Sequence, residues 1–178
     1  MYHPDSNAVI EIASEFGSHI LDENGAIDRK KLGEIVFADP DQMSKLEYIV
    51  WPHVKKEIQE KIDTLRREHK TGGVVVLEAA VLLDAGWEDL LDGLWVVTSS
   101  TPLALERLVQ NRGFSQEEAQ KRIEAQQQRR GIGNLPEEVK KGVVTKVIEN
   151  EGSEEELQIK LQQALEDPTA WKWKGEGI

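Results

Sequence analysis

Val74-Val75-Val76-Leu77-Glu78 is the stretch on which the fold turns. Four apolar residues, three of them β-branched, follow Thr71-Gly72-Gly73 and end in an acid, which is the pattern of a strand buried on both faces of a parallel sheet. Toward the C-terminus, a second run, Leu94-Trp95-Val96-Val97, comes after a short helical stretch at 82–91. Helical patterns at 102–111 and 115–130 precede a third strand-like run at 143–148. A last helix is predicted over 153–165, with Leu157, Leu161, Ala164 and Leu165 as its apolar stripe. From Gly72 onward strand and helix alternate, as in a parallel α/β sheet with right-handed crossovers. The polar, glycine-bearing end at 167–178, including Trp171-Lys172-Trp173-Lys174, is expected to be loosely held.

Toward the N-terminus the pattern is helical. Val9, Ile12, Ala13 and Phe16 mark a short amphipathic helix ending at Gly17. Asp22-Glu23-Asn24-Gly25 reads as a turn, and Asp28 is placed to cap a helix carrying Leu32, Ile35, Val36 and Phe37, which Asp39-Pro40-Asp41 closes. Over 42–70 the apolar positions Leu46, Ile49, Val50, Ile58, Ile62 and Leu65 fit a long helix. Pro52 removes a backbone donor within it, so two helices or one bent helix are expected.

The chain has 178 residues, and 22 Lys plus Arg against 33 Asp plus Glu give a net charge of -11. That is one domain's worth of chain, with 39% hydrophobic residues to build a core. No run approaches the roughly 18 apolar residues of a membrane span, and 1–7 has no signal-peptide pattern, so a cytoplasmic protein is expected. The absence of cysteine excludes disulfides, thiolate zinc sites and a cysteine nucleophile. An acidic surface argues against nucleic acid as a partner, since phosphates must be neutralised by lysine and arginine. An anionic ligand would need a local basic patch.

The arginines supply one. Arg107, Arg112, Arg122, Arg129 and Arg130 are five of the eight arginines, set within 24 residues of an acidic chain. Arg122, Gln126 and Arg129 or Arg130 recur at helical spacing, and a guanidinium fork pairs with phosphate oxygens in bidentate fashion. The alternative is intrahelical pairing with Glu117, Glu118 and Glu124 on a solvated face. Glu78 is also open to two readings, as a carboxylate that holds magnesium through water at the carboxyl end of a strand or as the cap of the next helix. His3, His19, His53 and His69 lie on separate elements and form no site, and Trp51, Trp87 and Trp95 read as core.

Taken together, the segments resemble dephospho-coenzyme A kinases, with wording closest to the kinase half of the eukaryotic bifunctional coenzyme A synthase. The resemblance rests on Phe16-Gly17 with Ile20-Leu21, on 25–33 (GAIDRKKLG), Val36-Phe37 and Trp51-Pro52, and on 76–87 (VLEAAVLLDAGW). Further on it rests on Glu106-Arg107-Leu108, Gly113-Phe114-Ser115, Ala119, Arg122-Ile123, Gln126, and Val147-Ile148 with Asn150 and Gly152. It implies a P-loop kinase-like α/β fold, with a helical substrate-binding region at 8–70 and a lid at 102–130. The implied activity is transfer of the ATP γ-phosphate to the 3′-hydroxyl of dephospho-coenzyme A, with magnesium. By the same resemblance Arg122 and Arg107 would be catalytic, and Arg112, Asn150 and Gly152 would bind the nucleotide. Arg29 and Glu78 would lie on the substrate side, Glu78 also being the candidate magnesium ligand.

The sequence departs from that family at its most diagnostic point. It contains no Gly-x-x-x-x-Gly-Lys-Ser/Thr, the loop whose amides and lysine cradle phosphates, and no counterpart of the segment that carries the family's presumed general base. Arg112 stands one place beyond the family's basic position, which falls on Asn111. The expectation is a single kinase-like domain lacking its first strand, phosphate loop and second strand, inactive alone, and prone to self-association through an exposed sheet surface. The alternative is a non-catalytic kinase relative that serves as a binding or interaction module.

Overall fold

The computed structural model describes residues 6–68, 73–129 and 135–172, the side chains of 125–129 excepted. The chain divides into two compact units, Met1–Val76 and Leu77–Ile178.

The first unit is helical. Helix α1 (Asn7–Phe16) is capped by the Ser6 hydroxyl, which accepts from the Val9 amide at 3.4 Å. It ends at Gly17, where φ is 90° and an added Cβ would stand 2.8 Å from His19 Nδ1. The predicted turn forms: Asp22 Oδ1 accepts from the amides of Asn24 and Ala26 at 2.8 and 2.9 Å. Helix α2 (Arg29–Ala38) is capped by Asp28, as expected. Ile12 and Phe16 of α1 form a buried cluster with Ile20, Leu32 and Val36, against which Met43, Leu46, Ile49 and Val50 of the next helix pack.

Two boundaries differ from expectation. Asp39-Pro40-Asp41 does more than close α2, because helix α3 (Pro40–Glu68) begins there directly. Asp39 Oδ1 accepts from the Asp41 amide at 2.9 Å, and Pro40 stands at the first helical position, where its missing donor costs nothing. Helix α3 also runs through Pro52 without a break. Pro52 and Tyr48, whose carbonyl loses its i+4 donor, are both exposed, so water can serve that carbonyl. His69 and Lys70 lie outside the described residues, as do Thr71 and Gly72.

The second unit holds a small parallel sheet, so the α/β class stands. Strand β1 (Trp95–Thr98) pairs in parallel with β2 (Lys146–Glu149), with Trp95 opposite Lys146 and Thr98 opposite Glu149. Val96 and Ile148 are buried, while Val97 is 51% exposed. The expected first strand is absent: 73–79 is irregular, and Val74, Val75 and Val76 are 58%, 49% and 83% exposed. An apolar strand of the parallel type is stable only between ladder partners and under covering helices, and among the described residues β1 has β2 as its ladder partner and none lies beside 74–77. The helical stretch expected at 82–91 is instead a run of turns and a single 3-10 turn, Glu88–Leu90, that bury Leu82 and Trp87.

After β1 the chain enters α4 (Thr101–Arg112), which stops at Gly113 in the left-handed conformation, φ 69°. Helix α5 (Gln116–Arg129) follows and buries Ala119 and Ile123. A short helix not read from the sequence, α6 (Leu135–Lys140), precedes β2. Helix α7 (Glu154–Glu166) is opened by a reciprocal cap between Ser153 and Glu156.

The segment beyond α7 is not loose as far as it is described. Ala170 is fully buried, and its carbonyl accepts from Trp95 Nε1 at 2.9 Å and from the Thr145 hydroxyl at 2.7 Å. The Trp95 and Trp171 rings meet edge to face at 5.2 Å. Residues 173–178 lie outside the described residues. Lys146 Nζ, 2.7 Å from Asp167, together with the Thr169 hydroxyl and amide, holds the Asp167 carboxyl down at about 2 from an ordinary 3.8. A depressed carboxylate contributes stability above its unfolded value and loses it as pH falls through the folded one. Thermal stability should therefore decline between about pH 4 and pH 2. Replacing Lys146 with methionine should raise the Asp167 value toward ordinary by NMR titration; an unmoved value would dismiss the pairing.

No described helix is long and apolar enough to cross a membrane.

Candidate nucleotide site

Parallel strands deliver the following loops to one edge of the sheet, and open α/β sheets bind ligands outside those carboxyl ends. Here β1 leads through Ser99-Ser100 into α4, and β2 leads through Asn150-Glu151-Gly152-Ser153 into α7. The Asn150 amide closes the strand ends by donating to the Thr98 carbonyl at 2.7 Å.

Arg107, on the second turn of α4, reaches over to the loop after β2. Its Nη1 donates to the Asn150 carbonyl at 2.8 Å, and Nη2 donates to the Gly152 carbonyl at 3.0 Å and to Asn150 Oδ1 at 3.4 Å. Three of the residues singled out from the sequence are thus in direct contact. Arg107 uses its fork on this loop, which makes it a clamp.

A second tie, not read from the sequence, lies beside the first. The Glu151 carboxylate accepts from the Ser100 hydroxyl at 2.8 Å and from the Ser100 amide at the start of α4. The hydroxyl, then the amide, lowers the Glu151 pKa, and the charges of Arg107 and Lys160 act in the same direction. The only sequence signal was position, since Glu151 stands between Asn150 and Gly152. A Cβ at Gly152 would meet the Glu156 carboxylate, which accepts from the Ser153 amide at 3.0 Å, so a larger residue there would push that side chain out of the helix cap.

On α5 the acids offered as partners for the arginines are engaged elsewhere. Glu117 pairs with Lys121 at 2.7 Å, Glu124 accepts from Gln120 at 2.8 Å, and Glu118 accepts from the Ser115 hydroxyl and amide at 2.7 and 3.0 Å. The Ser115 hydroxyl, then its amide, holds the Glu118 carboxyl below its usual value, with Arg122 adding a weaker charge effect. Arg122 is exposed, its guanidinium 4.2 Å from the centre of the Phe114 ring. No hydrogen bond or ion pair to a described residue holds that guanidinium, and its intrahelical interaction with Glu118 is a charge effect without direct contact. Arg112 is exposed in the last turn of α4, where a positive charge suits the helix C-terminus. Arg130 and the side chains of Gln126 and Arg129 lie outside the described residues.

Arg29 is the first residue of α2, in the other unit. Glu78 is exposed in the irregular segment before the turns, so it caps no helix. Among the described residues no group of three His, Asp or Glu could hold a metal ion. A single carboxylate does match the way magnesium is held, through one or two carboxylates with phosphate and water supplying the rest.

The dephospho-CoA kinase family model matches residues 1–156. The chain belongs to the dephospho-CoA kinase family. Similar curated dephospho-CoA kinases include that of Carboxydothermus hydrogenoformans, 37% identical over 174 residues, covering 97% of this chain and 76% of the relative. That of Thermobifida fusca is 35% identical over 167 residues, covering 92% and 76%. Among solved structures, TT1252 from Thermus thermophilus superposes with a TM-score of 0.58 at 28% identity, covering 89% of this chain and 80% of that one. A dephospho-CoA kinase from Campylobacter jejuni, at 22% identity and a TM-score of 0.52 over 89% and 81%, shares the fold. Members of the dephospho-CoA kinase family are phosphotransferases of coenzyme A biosynthesis that use ATP.

Proposed function

We propose that this chain binds ATP and dephospho-coenzyme A in the manner of its family, whose reaction passes the ATP γ-phosphate to the 3′-hydroxyl of dephospho-coenzyme A, and that the 178 residues alone do not complete that reaction. The observation that carries the binding half is the convergence of Arg107, Asn150 and Gly152 at the carboxyl ends of β1 and β2. Arg107 fixes the loop that faces the base, and Arg122 offers phosphate a guanidinium that no described carboxylate pairs directly. Arg112 adds positive charge at the C-terminus of α4. The family resemblance assigns Arg29, in the first unit, and Glu78, in the second, to the acceptor substrate, and a magnesium ion arriving with ATP would find in Glu78 one protein oxygen and would neutralise phosphate charge. Calorimetric titration of the purified chain tests the reading: each of the two ligands should bind saturably, and Arg122→Ala should weaken ATP. Absence of heat with both ligands would overturn it.

The second reading, a non-catalytic module that associates with another chain, is favoured by the exposed valines at 74–76 and by the 51% exposure of Val97. Apolar strand-forming segments without partners invite association. Analytical ultracentrifugation should show dimers or larger species at micromolar concentration; a monomer would dispose of the exposed-surface argument.

A further inference from the structure

We infer that Phe114 is a positioning residue for Arg122, a flat shelf that holds the guanidinium ready for an anionic phosphate; this rests on the nucleotide reading proposed above. The loop between α4 and α5 is three residues, Gly113-Phe114-Ser115, and each has a separate task. Gly113 supplies the left-handed turn, φ 69°, that only glycine adopts readily. Ser115 takes the Glu118 carboxylate through both its hydroxyl and its amide, so that this acid, at i−4 from Arg122, acts on the guanidinium only through a weak charge effect and not through a direct pair. Phe114, half-buried, places its ring face under the guanidinium at 4.2 Å.

A cation on a ring face is attracted by the ring quadrupole, yet its N–H groups point outward in the guanidinium plane and stay available. An arginine held this way keeps its full charge and its donors while losing rotamer freedom in advance. The same arginine paired with a carboxylate would have to break that pair before meeting phosphate. The sequence Gly-Phe-Ser thus does two things for one side chain eight residues on: it ties the nearest carboxylate to Ser115 and supplies the support.

The test uses the full chain with ATP as the probe. Phe114→Leu keeps most of the apolar volume and removes the ring face, and Phe114→Tyr keeps the ring. In the parent, the Arg122 Nε–H resonance should carry a ring-current shift, which Leu abolishes and Tyr retains. ATP affinity should fall about two- to five-fold in Phe114→Leu, the size of an exposed cation–π contact, and stay at the parental value in Phe114→Tyr. In an Arg122→Gln background Phe114→Leu should cost nothing further, because the group it supports is gone. An equal loss in both backgrounds would make Phe114 a packing residue only and overturn the inference. Parental ATP binding that Leu leaves unchanged would also overturn it. A parent that binds no ATP would bring down the nucleotide reading itself, and this inference with it, so the two failures are told apart in the parent.

Discussion

The 178-residue chain, supplied with ATP, magnesium and dephospho-coenzyme A, is expected to form no measurable ADP or coenzyme A. Phosphoryl transfer has little covalent chemistry for a protein to perform; the rate comes from positioning and from charge stabilisation of the moving phosphoryl group. The glycine loop and its lysine perform both tasks on the β- and γ-phosphates, and no Gly-x-x-x-x-Gly-Lys-Ser/Thr occurs anywhere in these residues. A single arginine aimed at the transferring group is worth on the order of 10³ to 10⁵ in rate, so residues without such a cradle are expected to turn over below detection even with Arg122 present. A coupled ADP assay, with coenzyme A followed by mass spectrometry, decides the matter. Dephospho-coenzyme A-dependent ADP release by the pure chain would show that other residues cradle the phosphates.

Replacing Arg107 with alanine should give the largest loss of stability of any single change at the site. The substitution removes three donors at once and leaves the Asn150 and Gly152 carbonyls to water. A hydrogen bond from a charged group is worth about 1.5–3 kcal/mol, and the half-buried setting of this one argues for a loss of that order for the cluster as a whole. For a chain of this length each kcal/mol moves the melting temperature by about 2–4 °C, so a fall of about 3–12 °C is expected by calorimetry. Lysine at the same position should restore only part of it, because one ammonium cannot reproduce a fork spread over two carbonyls. A melt within about 1 °C of the parent would mean that the loop after β2 stands without the clamp.

Periodicity and capping chemistry made most helices legible. Asp28 caps α2 and Gly113 ends α4 because these residues act on their own neighbours within one turn. The strand pairs were partly legible for the same reason, since the runs at 94–97 and 143–148 fall within a few residues of β1 and β2. Val74 to Leu77 shows the limit: composition marks a segment that could be a strand, but a strand exists only where another chain segment accepts its hydrogen bonds. The contacts at 167–172 were not legible, because nothing local says that the Ala170 carbonyl will meet Trp95 and Thr145, far away in sequence.

The site divides along the same line. Sequence by itself determined the family, through ordered matches along the chain, and named Arg107, Arg122, Asn150 and Gly152. Tertiary structure alone decided what those residues do. Arg107 spends its fork on a loop 43 residues on, Glu151 ties to Ser100 across 51, and Glu118 turns to Ser115 and leaves Arg122 on the Phe114 ring. The physical reason is that a side chain's type fixes which bonds it can make, whereas the partner it finds depends on which carbonyls, carboxylates and rings the fold brings within about 3–4 Å.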